Sequence, residues 1–147
     1  MTTASTLKWL IASSVLYMIV GLVAALVAIA ANLPAEFAGL STGKPVLQDF
    51  LYGMGTALSP PLYSLVIQSL LTLLAPRSDR WGLFGVIGLV VMGLFTSIGA
   101  LSEPIRNKIF NPVTFDLPKA LILTGMILLP VVIMIFGILE WSRRQRG

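Results

Sequence analysis

Trp81 to Leu101 is a run of 21 residues without a charge, WGLFGVIGLVVMGLFTSIGAL. As a helix rising about 1.5 Å per residue it measures roughly 32 Å, enough to cross the hydrocarbon core of a bilayer. Its side chains then sort by size around the helix. Gly82, Gly85, Gly88, Gly93, Thr96, Ser97, Gly99 and Ala100 share one half, and bulky residues such as Phe84, Ile87, Val91, Phe95 and Ile98 share the other. In water so many glycines would weaken a helix. In lipid, apolar burial gives helices little reason to associate, so they pack closely at small residues while large ones face acyl chains. The run reads as the central helix of a small membrane bundle, with helix packing expected at Gly82, Gly85, Gly88, Gly93 and Gly99.

Composition supports the same class. The 147 residues are 56% apolar and 11% charged, against roughly 25% charged in a soluble domain. That leaves too little polar surface to coat a soluble globule. The length suits a single membrane domain spanning 1–147. There is no cysteine and no histidine, which removes disulfides, thiolate catalysis and the usual ligands of haem and zinc. No metal and no cofactor are expected. The ten Lys and Arg are scattered between apolar runs, so no nucleic-acid partner is expected.

Trp9 to Ala31 forms another uncharged run, of 23 residues. Ala28-Ile29-Ala30 has the small-x-small form of a signal cleavage site, but the run exceeds a usual signal core and only Lys8 precedes it. It is read as a retained first span. Ser14, Gly21 and Ala28 repeat at seven, as do Tyr17, Ala24 and Ala31. This seam of mostly small residues predicts close packing at Gly21 and Ala28.

Asn32 to Ser59 is a long connection containing Pro34, Glu36, Gly39, Lys44 and Asp49. Its apolar part, 46–58, is interrupted by Gly53 and Gly55 and is compatible with an interfacial helix, a re-entrant piece or the first turns of the second span. Ser59-Pro60-Pro61 reads as a helix start with Ser59 as N-cap. Pro76 to Arg80 is a tight polar turn, and Ser102 to Pro118 is a second long connection. Asp116-Leu117-Pro118 repeats the cap-and-proline pattern. The last span runs to Trp141 and should kink at Pro130. The sequence therefore predicts an all-α integral membrane protein: an antiparallel four-helix transmembrane bundle with spans near 9–31, 56–75, 81–101 and 117–141 and two longer outer loops.

With four spans both termini lie on one side. Lys8, Arg77, Arg80, Arg143, Arg144 and Arg146 fall there, against Lys44, Arg106, Lys108 and Lys119 opposite. The positive-inside rule then puts both termini in the cytoplasm and the chain in the cell (inner) membrane. The terminal arginines are expected in water.

No established catalytic motif occurs. GLFGVIG lacks the spacing of a phosphate loop, and no charge lies at mid-membrane depth. This argues against an ion-coupled transporter or a multidrug exporter. Two features remain. Ser64, Gln68 and Thr72 lie on one stripe of the second span. The Gln68 amide must find partners there, as glue between helices or as the polar wall of a ligand pocket. The outer connections carry Glu36, Asp49, Glu103, Arg106, Lys108 and Asp116, expected to meet at one end. There they act as solvated loop charges, with Glu103 and Arg106 paired, or, as carboxylates beside an arginine, bind a polar head group or serve as acid and base at the interface. Candidate ligand-binding residues are thus Gln68, Ser64, Thr72, Asp49, Glu103 and Arg106.

Two functions follow. The missing catalytic set favours a structural or accessory subunit, not an enzyme, that packs against a protein partner or a second copy in the lipid bilayer. The alternative is a lipophilic small-molecule binder, or a small membrane enzyme, with a pocket near the extracytoplasmic face. A closed bundle supports the first, and a cavity mouthed by Glu103 or Asp49 supports the second.

Overall fold

The structure, a computed structural model, describes residues 3–37, 40–113 and 115–146, with backbone alone at 3, 4, 37 and 108. Gly39 and the side chain of Lys108 lie outside the described residues. Among the described residues six helices follow in chain order: α1 (Thr3–Ala30), α2 (Val46–Tyr52), α3 (Leu62–Leu74), α4 (Arg80–Ser102), α5 (Ile105–Ile109) and α6 (Leu117–Arg144). The described strand structure is a two-residue hairpin, β1 (Glu36–Phe37) against β2 (Leu40–Ser41), with Glu36 opposite Ser41. Among the described residues three helices are long and apolar enough to cross a membrane: α1, α4 and α6. The protein is therefore an all-α protein of membrane type. Apolar α3 has 13 residues, about 20 Å.

Each helix ends for a local reason. Asn32 takes a left-handed backbone, φ 50°. It turns the chain so that Leu33 N–H donates to Ala28 O at 2.8 Å and Asn32 N–H to Ile29 O at 3.2 Å. That pair of bonds closes a helix on a left-handed residue and satisfies carbonyls that would otherwise be orphaned. The Asp79 carboxylate accepts from Trp81 and Gly82 N–H and starts α4, and Asp116 accepts from Lys119 N–H and starts α6.

The second apolar helix differs from the sequence expectation. Ser59 does not cap it. The Ser59 hydroxyl donates to Pro60 O at 3.0 Å, and the N-cap position belongs to Pro61, extended at ψ 154°. A proline drives the residue before it out of the helical region, so Pro61 keeps Pro60 extended and the helix begins at Leu62. Residues 53–61 are instead an irregular segment with 55–59 buried. Buried irregular backbone needs a partner for every N–H, and here each has one. Gly53 and Gly55 donate to Asp49 O, and Met54 to the Asp49 carboxylate. Thr56 donates to Ser59 O, and Ala57 to Leu33 O. Leu58 and Ser59 donate to the Thr56 hydroxyl oxygen. The two prolines bring no N–H at all.

Packing centres on α6, which lies against α1 and α4, while α3 lies against α4 and α1. Thr6 of α1 donates to Glu140 of α6, and Trp9 stacks on Phe136 with ring centroids 6.3 Å apart. Farther along, Gly125 of α6 faces Val20 of α1. The α1 seam is buried at Ser14, Tyr17, Gly21, Ala24 and Ala28, whereas Ala31 falls past the helix end and is exposed.

Candidate functional site

Along α4 the small residues meet two different surroundings. In the first half, a Cβ added at Gly82 would collide with the Arg77 carbonyl oxygen. One at Gly85 would lie 2.7 Å from Ala75 N and 2.9 Å from Leu71 O, and one at Gly88 would overlap the Leu71 side chain. At Gly93 it would meet Pro130 O of α6 at 2.9 Å. These glycines let α4 approach α3 and α6 to backbone contact. Gly21 gives a milder case, 3.1 Å from Leu65 Cδ2. At Gly99 the added Cβ would meet nothing within 4 Å. Gly99 packs no helix; it borders a cavity.

That cavity, of about 520 Å³, lies between the C-terminal half of α4, the start of α3, the 54–61 segment, Tyr17 of α1 and Leu123 and Met126 of α6. It exists because α3 starts late. Below Leu62 α3 packs on α4; before it, the irregular segment stands off and leaves Thr96, Gly99 and Ala100 uncovered. The wall is mostly apolar, with Met92, Phe95 and Ile67 among its lining. Phe95, Tyr63 and Ile67 are also exposed on the outer surface of the protein, so the cavity opens sideways.

Its polar groups are few. The Tyr17 hydroxyl is buried without a hydrogen-bond partner, on a side chain 1% exposed. It lies beside Thr96, whose own proton is committed to Met92 O at 2.8 Å. Ser59 and Thr56 line the wall with hydroxyls engaged in the local turn. At the mouth stands Glu103, the residue that ends α4. One of its carboxylate oxygens accepts from Glu36 N–H at 3.1 Å. Burial pushes the Glu103 carboxyl up to about 7; the Glu36 N–H pulls it down and the nearby Glu36 charge raises it further.

The expected site residues divide. Ser64 and Glu103 line the cavity. Gln68 and Thr72 do not. Gln68 Nε2 donates to Ser14 Oγ at 2.8 Å, Ser14 Oγ and Thr72 Oγ1 are 2.7 Å apart, and Thr72 Oγ1 donates to Gln68 O at 2.7 Å. Because the Thr72 proton goes to Gln68 O, the Ser14 hydroxyl must donate to Thr72. The three residues tie α3 to α1 in one closed circuit of donors. Asp49 is fully buried, but its carboxylate holds Thr42 and Met54 N–H and its carbonyl holds Gly53 and Gly55. It organises the loop and does not reach the cavity. Arg106 turns to Leu101 O at 2.9 Å, over the end of α4. No ion pair joins it to Glu103 among the described residues.

A second polar cluster, unread in the sequence, closes the opposite end. Glu140 is 0% exposed and accepts from Thr6, from both Arg143 and Arg144. Arg144 reaches on to Ala75 O at 2.7 Å and Arg77 O at 3.0 Å, carbonyls left open where α3 ends. The expectation of Arg144 in water is thus corrected: it locks α6 to the end of α3, while the more exposed Arg143 pairs with Glu140 on its own helix and Thr6 ties that acid to α1. An acid three and four residues before two arginines on a helix was the available signal.

Among the described residues no group of His, Cys, Asp and Glu could hold a metal ion. Comparison with known protein families, with curated proteins and with solved structures finds no match for this chain.

Proposed function

We propose that this is a membrane protein of four antiparallel spans, α1, α3, α4 and α6, that binds a lipophilic small molecule from the side, in the half of the bilayer away from its termini. The antiparallel reading is supported by contacts from Thr6 to Glu140 at one level and from Val20 to Gly125 at another. In α3 the short helix is completed by the buried 53–61 segment. Its satisfied N–H groups make irregular backbone tolerable at membrane depth. Exposed Trp9, Trp81 and Trp141 belong to the end that carries both termini and suit an interfacial belt. The Lys and Arg excess at that end places it in the cytoplasm, in a cell (inner) membrane.

The ligand reading is carried by one observation: a sideways-open apolar cavity lined by Tyr17, whose buried hydroxyl has no hydrogen-bond partner. An unmet buried polar group is costly, and a ligand acceptor would satisfy it. Among the described residues Glu103 is the one carboxylate of the cavity and no nucleophile with a base stands beside it, so we assign binding and not catalysis. The small-residue stripe of α4 does not argue for a protein partner, since Gly82, Gly85, Gly88 and Gly93 are used on contacts within the chain.

Native mass spectrometry of the protein released from membranes tests this. The wild type should carry a lipophilic adduct near one per chain. Gly99→Trp, which fills open space, should lose the adduct and still fold. Equal adducts on both proteins would mark the mass as bulk lipid and end the reading.

A further inference from the structure

Resting on that reading, we infer that the occupant is a long-chain amine, its cationic head at Glu103 and an acceptor oxygen, ether or carbonyl, part-way down its chain at Tyr17. Among the described residues the charge that lines the mouth is acidic. Glu103 forms no ion pair among the described residues, and the charged group facing it is a second acid, Glu36. Arg106, the nearest cation along the chain, is turned to the Leu101 carbonyl. Two acids repel an anionic head group and attract a cation. A phosphate close to the amine, as in an aminophospholipid, would meet both carboxylates, so the amine that fits carries none.

Depth sets the second element. Thr96, beside the Tyr17 hydroxyl, and Glu103 are seven residues apart on one chain, about 10 Å at helical rise. Thr96 spends its own proton on Met92 O, and no hydrogen bond of normal geometry holds the Tyr17 hydroxyl, so Tyr17 is the donor left for the occupant. Between the two points α4 offers Gly99 and Ala100 to the cavity, and the Ser59 and Thr56 hydroxyls on the wall are engaged in their own turn, so this stretch suits a hydrocarbon chain. The volume, about 520 Å³, lies in the range of small-molecule sites.

The test uses the whole protein in phosphatidylcholine nanodiscs and reads thermal stabilisation by tridecylamine, by its butoxyoctyl analogue with one ether oxygen, and by tridecanol. A ligand that binds only the folded state raises the midpoint with its affinity. The ether amine should stabilise most, the plain amine less and the alcohol least. Glu103→Gln should lower the affinity of both amines at least tenfold, the plain amine to the level of the alcohol and the ether amine to a level still above it by the Tyr17 contribution, without changing alcohol binding, which shows an intact cavity. Tyr17→Phe should erase the difference between the ether amine and the plain amine. Doping the nanodiscs with phosphatidylethanolamine should not compete. Equal binding of amine and alcohol, unaltered by Glu103→Gln, would overturn the inference while leaving a lipophile site intact. Failure of all three ligands, with wild type and Gly99→Trp alike, would remove the site itself. Competition by phosphatidylethanolamine would overturn the exclusion of phosphate.

Discussion

On the N-terminal half of α4, Gly82, Gly85 and Gly88 press against the backbone and side chains at the end of α3; on its C-terminal half, Gly99 and Ala100 border open space. The residue types are the same. The difference lies in what stands opposite. Below, α3 is a regular helix whose carbonyls can be approached by a surface without side chains. Above, Pro60 and Pro61 have delayed α3, and the chain that replaces it is a turn held by Asp49 and Thr56. A stripe of small residues permits close approach, and it produces contact only where a straight helix faces it. The end that is zipped is also the end latched by Glu140 and Arg144, and the end that is open carries the one partly desolvated acid of the mouth.

Single alanines along α4 test this contrast most severely. At Gly85 the new methyl meets backbone, which cannot move aside, so Gly85→Ala should cost about 1–3 kcal/mol, as overpacking does. At Gly88 it meets the end of a leucine side chain, and the loss should be smaller. At Gly99 it meets nothing, and replacing glycine in a helix favours folding by up to about 1 kcal/mol. Thermal midpoints in one detergent should therefore run Gly85→Ala, Gly88→Ala, wild type, Gly99→Ala from lowest to highest. A uniform loss at all three positions would mean that the two halves of α4 are packed alike.

The latch gives the next effect. Arg144→Ala leaves the Ala75 and Arg77 carbonyls unmet and removes one of two arginines from buried Glu140. Unsatisfied groups of this kind cost about 1–3 kcal/mol, at the lower end here because Arg143 still pairs with Glu140. The loss should appear as faster hydrogen exchange at the end of α3, with the cavity end unchanged. Equal loosening at both ends would show that the latch and the cavity are one cooperative unit.

Much of the zipped half was legible in the sequence. A charge-free run with glycines on one half leaves few alternatives, and the seam at Ser14, Gly21 and Ala28 required a neighbour. The stripe of Ser64, Gln68 and Thr72 could be seen, but not its use, because Ser14 is 54 positions away from Gln68 and no local pattern links them. The cavity was less legible still. It is a consequence of where α3 begins, and a Ser-Pro-Pro string is compatible with either residue starting the helix. Tyr17 offered the best overlooked signal: a large polar residue in a seam of small ones needs room opposite it. The gathering of outer charges was expected from topology alone. Backbone demands claimed Asp49 and Arg106, since a loop with many open N–H groups and a helix with open carbonyls take the nearest side chains first.

The smallest effect concerns pH, kept small because Glu103 is only partly buried, and its sign separates two acids of the same outer end. Glu103 is held at about 7 in the folded protein, above its ordinary value near 4.3. The fold therefore prefers its neutral form. Below the ordinary value both states hold the proton and nothing is lost. Between that value and about 7 the unfolded chain ionises first, so stability falls as pH rises, and it levels off beyond 7. Asp116 at the start of α6 shifts the other way, held down by Lys119. Its contribution is present at neutral pH and is lost only on acidification below its ordinary range, so the two windows do not overlap. Between pH 5 and 7 the wild-type midpoint should decline slightly, and Glu103→Gln, which stays neutral, should flatten that slope without touching behaviour below pH 4. A slope that survives the substitution would assign the titration elsewhere and remove Glu103 from its partly dry position at the mouth.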